Sequence, residues 1–275
     1  MSEKVGPKTT GRSPEQHVLV WLHDFRGTGL AKLFWQHQTL GVLAKNVHSL
    51  MRRYRGHVPT TGAQKAVLAV SSAVLGFLDP RQPQHIARLG EVTQCGALAR
   101  MRDSMQASEE GRAVLRERPS FKQWVRLDEL GRLPAGTLGA EYARFMVGQR
   151  LDPLSRSDVR YVDDAELAFV MQRYREVHDV WHVLLGCGDV SVETEAALKW
   201  AEAVATGLPM AAAAALAGPL RAGPREWGRL ARRVAPWAAA NRRGLHGLLA
   251  VYYERHMERD LEEFRRALGV TPLPL

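Results

Sequence analysis

Cysteine is scarce in this 275-residue chain: Cys95 and Cys187 stand far apart, and neither belongs to a CxxC pair. A disulfide scaffold and a cysteine-based zinc module are thereby excluded, and the usage fits a reducing compartment. Long apolar runs are missing as well. The longest uncharged stretches, Ala66–Leu78 and Gly207–Leu220, fall short of the ~20 residues a helix needs to cross a bilayer. No membrane span is expected, which still leaves peripheral contact with a membrane. Short alternating strand patterns are nearly absent, so the expected fold class is all-α.

Acidic residues run low in one region. The net charge is +9, and residues 1–57 hold nine Lys and Arg against three acids, Glu3, Glu15 and Asp24. The high isoelectric point therefore describes mainly a basic leader, and no nucleic-acid partner is expected. Residues 1–16 are polar and aperiodic. Residues 18–55 then set Trp21, Leu22 and Phe25, followed by Leu40, Leu43 and Val47, at helical spacing opposite basic positions. This is the composition of a mitochondrial import signal, with Glu3 counting against it. The alternative is a basic amphipathic helix that stays on the mature protein.

From Val58 onward the pattern is helical, and the expectation is one compact multi-helix domain over 58–275 behind the 1–57 leader. Thr61 precedes a helix of small and aliphatic residues that stops at Asp79–Pro80. Residues 84–106 read as one or two helices, and Glu109–Arg118 as another. A connector broken by Pro and Gly occupies 119–140. A long helix is expected from Ala165 to Leu185, capped by Asp163 or Asp164 and stopped by Gly186–Cys187–Gly188. A second runs from near Glu193 to Thr206. The Ala-rich stretch 211–217, a helix around Trp227–Trp237 and one long charged helix, Leu245–Leu268, complete the chain.

Chemistry concentrates in YREVHDVWHVLLG. His178 and His182 are four residues apart, about 40° around a helix, and Asp179 falls in the same 100° arc. Two imidazoles and a carboxylate suit zinc, or iron or manganese. Buried imidazoles and a carboxylate without partners would be costly among Val177, Val180, Trp181 and Val183, which puts a metal site level with a chance histidine pair satisfied in the core. The spacing is close to HExxH, but Asp stands where a metalloprotease needs its glutamate base, so a hydrolase of that type is disfavoured. The next helix offers the fourth ligand: Glu195, with Glu193 as runner-up. Lys199 is placed to pair with Glu195 on the surface.

These residues lie inside a wider resemblance. The blocks QKAVLAVSSAVLGFLDP, RLGEVTQ, GRLPAGTLGAEYARFM, RYVDDAELAFVMQRYREVHDVWHVLLG, ALKWAEAVATGLPM and VYYERHMERDLEE resemble the family of the fourth-numbered coenzyme Q (ubiquinone) biosynthesis protein, over roughly Val58 to Gly269. Residues 1–57 lack the likeness. The family motif is HDxxH, eleven residues, then Glu. His178, Asp179 and His182 match it, but the position after eleven residues is Thr194. Anchoring on LKWAEAV brings Glu195 into register with one extra residue in the loop 186–194, where a length change costs little. A slip of that loop would bring in Glu193.

The resemblance implies a helical mitochondrial protein, peripheral on the matrix side of the inner membrane. It would work in a multi-subunit complex of coenzyme Q biosynthesis enzymes and bind a prenylated benzoate or quinone lipid. It further implies a Zn(2+)-dependent lyase that removes the C1 carboxylate of 4-hydroxy-3-methoxy-5-polyprenylbenzoate to give 2-methoxy-6-polyprenylphenol. The metal ligands carried over are His178, Asp179, His182 and Glu195. A coupled hydroxylation at that carbon, described for the family, is beyond zinc alone, which is redox-silent. The alternative is a lipid-binding scaffold of the complex with a structural metal. No residue is identified as the proton donor; Glu202, Glu166 and Tyr174 are the candidates. Helices 66–78 and 208–220 are placed either to line a groove for the polyprenyl tail or to pack closely.

Overall fold

Thr61 and Gln64 open the first helix by capping each other: Gln64 N–H donates to Thr61 Oγ1 at 3.3 Å, and Thr61 N–H to Gln64 Oε1 at 2.8 Å. The computed structural model describes residues 53–78, 83–217 and 223–275. In chain order its helices are α1 (Gly62–Leu78), α2 (Pro83–Thr93), α3 (Cys95–Gln106), α4 (Glu109–Glu117), α5 (Phe121–Trp124), α6 (Leu127–Leu130) and α7 (Leu138–Gly148). Then follow α8 (Ala165–Leu184), α9 (Val192–Thr206), α10 (Pro209–Ala217), α11 (Pro224–Ala240), α12 (Arg242–Gly247) and α13 (Leu261–Leu268). Among the described residues there is no strand, only one isolated bridge between Thr137 and Asp260. The fold is all-α. The expectations placed on residues 1–52 lie outside the described residues.

The chain is tied in from Tyr54. Its hydroxyl donates to the Val162 carbonyl at 2.8 Å, the buried His57 ring meets Asp163 at 3.3 Å, and Val58 N–H donates to the Arg160 carbonyl. All three anchors grip the segment that leads into α8.

α8 is the spine. Asp164 caps it, accepting from the Glu166 and Leu167 N–H groups at 2.8 and 2.9 Å, and every residue from Arg173 to Leu184 is buried. Apolar positions on all sides make it a core helix rather than a surface one. Its buried charges are matched: Arg173 forks onto Glu254 at 2.6 and 2.9 Å, and Arg175 meets Glu91 at 2.9 Å. The helix stops in a Schellman turn, with Cys187 N–H donating to the His182 carbonyl and Gly186 N–H to that of Val183. Gly186 has φ +73°, and a Cβ there would sit 2.9 Å from the Pro272 side chain, so glycine is required on both counts.

The expected single helix Leu245–Leu268 is a correction. The structure breaks it into α12, two 3₁₀ turns (Leu248–Ala250 and Tyr253–Arg255) and α13. The reason is long-range. The backbone near 257–261 is engaged with residues 136–139: Leu138 N–H donates to the Arg259 carbonyl, Gly139 N–H to that of Met257, and Leu261 N–H to that of Gly136. Tyr253 turns inward, where its hydroxyl accepts from Trp181 Nε1 at 3.0 Å and donates to the Leu248 carbonyl at 2.8 Å. A continuous helix would forfeit these bonds, and Asp260 restarts the helix as a cap for Glu263.

Candidate metal centre

The two imidazoles on α8 turn the same edge toward each other. His178 Nε2 and His182 Nε2 are 3.3 Å apart. Ser191 caps α9 through the Thr194 N–H, so the helix begins early enough to put Glu195 in its first turn, across from the end of α8. Glu195 Oε1 lies 3.2 Å from His182 Nε2, and its Oε2 lies 3.9 Å from His178 Nε2. Two nitrogens held ~2.0–2.1 Å from a tetrahedral zinc ion would be separated by roughly 3.3–3.4 Å, so this spacing fits. Asp179 is the next donor: one of its carboxylate oxygens lies within 4.8 Å of the imidazole nitrogens. Glu193 is exposed on α9.

The tautomer of His178 follows from its other edge. Nδ1 is 2.6 Å from Glu202 Oε1, and Glu202 is fully buried. Burial alone would raise the Glu202 carboxyl, but Lys199 and His178 outweigh it and hold the group well below the ordinary carboxylate range. An ionised carboxylate only accepts, so Nδ1 carries the hydrogen and Nε2 carries the lone pair that faces Glu195. Burial also lowers the His178 pKa, keeping the ring neutral at pH 7. This is the carboxylate–histidine arrangement that orients a metal ligand. His182 is held differently: its ring stacks on Phe145 at 5.2 Å, and its buried Nδ1 has no hydrogen-bond partner among the described residues.

Glu202 accepts two further bonds, from the Tyr174 hydroxyl at 2.5 Å and from Lys199 Nζ at 2.7 Å. Lys199 therefore pairs with Glu202 and not with Glu195 as its spacing suggested; the buried charge three residues on offers the stronger partner. Burial also pushes the Tyr174 phenol well above its usual value. Glu166 stands in the first turn of α8, roughly 18 Å along the axis from His178, and faces Arg102 at 3.7 Å.

Asp179 is buried and gripped by the Arg156 guanidinium, through Nη2 to one oxygen and through Nε to the other at 3.3 Å. Arg156 sits in the turn after the Pro153–Ser155 3₁₀ segment, where Lys122 Nζ holds its carbonyl at 2.9 Å.

A sequence model described as coenzyme Q (ubiquinone) biosynthesis protein Coq4 matches residues 54–274. The chain belongs to the Coq4 family. Among its relatives, the mitochondrial ubiquinone biosynthesis protein COQ4 homologue of rat is 41% identical over 228 residues, covering 82% of this chain and 86% of the rat protein. The human homologue is 42% identical over 223 residues, covering 81% and 84%. A crystal structure from Nostoc punctiforme, named for ubiquinone biosynthesis, superposes with a TM-score of 0.55 at 21% identity. It covers 76% of this chain and 96% of its own, which supports the fold alone.

Within this Coq4-family chain, sequence reasoning missed two parts of the centre. Arg156 lies 23 residues before Asp179, in a turn without a motif. Glu202, a proton-donor candidate by sequence, is instead made an orienting base by its surroundings. Its distance of seven from Glu195, two helical turns, was the one available signal. Two cavities, of about 330 and 570 Å³, are lined by neither α1 nor α10. The helices proposed as walls of a tail groove do not line them.

Proposed function

We propose that this chain binds one Zn(2+) through His178, His182, Glu195 and Asp179 and acts in ubiquinone biosynthesis as a carboxy-lyase. The reaction is removal of the C1 carboxylate of 4-hydroxy-3-methoxy-5-polyprenylbenzoate. The observation that carries the reading is the triangle of His178 Nε2, His182 Nε2 and the Glu195 carboxylate, at 3.2–3.9 Å, with the His178 lone pair already aimed inward. Such an ion supplies a Lewis acid that polarises a carboxylate or phenolate oxygen without redox change.

The remaining work falls to the chain's own residues. Glu202 fixes the His178 tautomer. Lys199 and His178 keep Glu202 ionised and the Tyr174 hydroxyl helps hold it in place, so neither it nor Tyr174 serves as the acid. Loss of CO₂ leaves an electron pair on the ring carbon, and one proton must replace the carboxylate there. Two side chains of the centre reach water: Glu195, 36% exposed, and Arg156, 34% exposed. Water at these side chains is the proton source in this reading.

The mitochondrial names of the relatives support placement in mitochondria; in this reading the protein lies peripherally on the matrix side of the inner membrane. Among the described residues, no helix is long and apolar enough to cross a membrane. The partners in this reading are the other enzymes of the coenzyme Q biosynthetic complex. A second reading, a scaffold with a structural metal, draws on the centre's position between α8 and α9, where an ion would cross-link two core helices. Glu195→Ala, at a side chain 36% exposed, distinguishes the two. The lyase predicts that CO₂ release collapses while melting temperature and partner co-purification hold. The scaffold predicts that stability and partner binding fall together.

A further inference from the structure

We propose that Arg156 receives the substrate's carboxylate and makes this site select the benzoate over its decarboxylated product. The assignment rests on the lyase reading of the centre.

Among the described residues Arg156 is the cation of this centre left with free donors. A guanidinium has five N–H groups. Two are engaged on Asp179, and the other three meet no acceptor among the described residues. Lys199, the other cation close by, is committed to the buried Glu202 at 2.7 Å. Asp179, His178 and His182 are buried, whereas about a third of the Arg156 side chain is in water, so Arg156 is the cation of this network most accessible to an incoming carboxylate.

The arrangement is also pre-organised. Lys122 Nζ fixes the Arg156 backbone at 2.9 Å, and Val159 N–H donates to Gln172 Oε1 on α8 at 2.9 Å. Asp179 then sets the angle of the guanidinium plane, and a planar fork matches a carboxylate in two parallel bonds. Any sharing of Asp179 with an ion frees further N–H groups for the ligand. The carboxylate carbon leaves as CO₂, so the product phenol has lost the group that Arg156 grips. Release follows from the same contact that selected the acid.

The test uses full-length protein loaded with zinc. Two short-chain probes are titrated: 4-hydroxy-3-methoxy-5-geranylbenzoate and the matching 2-methoxy-6-geranylphenol. Zinc content and melting temperature are recorded for every variant. Wild type is expected to prefer the acid. Arg156→Gln should weaken acid binding about 10- to 100-fold and leave phenol binding within about twofold. Arg156→Lys keeps the charge and folds without an uncompensated Asp179, but it lacks the fork. It should lose about tenfold on the acid alone. Wild-type protein that does not distinguish acid from phenol overturns the proposal. So does an acid-to-phenol ratio unchanged in Arg156→Gln or, if that variant does not fold, in Arg156→Lys. Acid binding through Arg156 without any CO₂ release would refute the lyase and leave this assignment standing.

Discussion

Replacing Glu202 with Gln removes one charge from the centre of the buried network and keeps its shape. The amide oxygen still accepts from Tyr174, but the amide has only one acceptor for three donors: Tyr174, His178 Nδ1 and Lys199. His178 then loses the partner that fixes its tautomer. Removing such an orienting partner costs about 10–100-fold in metal affinity, or roughly 1.4–2.7 kcal/mol. Leaving Lys199 without its buried counter-charge adds a loss of fold stability near 3 kcal/mol, discounted because Lys199 is 26% exposed.

The sign with pH is set as well. The folded carboxyl lies below its unfolded value, so its stabilisation is complete at neutral pH and fades as pH falls below about 4.3. Zinc affinity by chelator competition at neutral pH and melting temperature from pH 7 down to about pH 2.5 measure the two effects. The variant should bind zinc at least tenfold more weakly and show a flatter acid limb. Wild-type zinc affinity in a folded Glu202→Gln variant would refute the orienting role.

Other perturbations separate the remaining claims. Glu195→Ala should weaken metal binding far more than Glu193→Ala, since Glu195 faces both histidines and Glu193 is exposed; the reverse order in a metal titration would contradict the ligand assignment. Gly186→Ala should cost about 1–3 kcal/mol, because its φ of +73° and the Pro272 contact both oppose a Cβ. For a domain of this size that lowers the melting temperature by roughly 2–10 °C, and an unchanged value would show that the turn tolerates the substitution. A reporter carrying residues 1–57 should reach mitochondria, and one retained in the cytosol would remove the targeting role.

Local signals make the two helices of the centre legible in the sequence. The capping aspartate at 163 or 164, the apolar run through Trp181 and the glycines after Leu185 delimit α8, because each acts within one or two turns; the structure selects Asp164. His178, Asp179 and His182 fall on one face by helix geometry alone. The rest depends on contacts distant in sequence. Arg156 reaches Asp179 from a turn with no motif, and Lys199 chooses Glu202 over Glu195 only because burial makes that pair stronger. The C-terminal segment looks helical by composition, yet residues 257–261 bond to 136–139, more than a hundred residues earlier. No local pattern encodes that exchange.

In the proposed reaction this centre removes a carboxylate with the help of a bound ion. The direct measurement is CO₂ release from carboxyl-labelled 4-hydroxy-3-methoxy-5-prenylbenzoate by purified protein whose metal content has been determined. Stripped protein should be inactive, and activity should rise in proportion to zinc up to one ion per chain. His182→Ala should release nothing at any zinc concentration. Equal release from stripped and zinc-loaded protein would contradict the account.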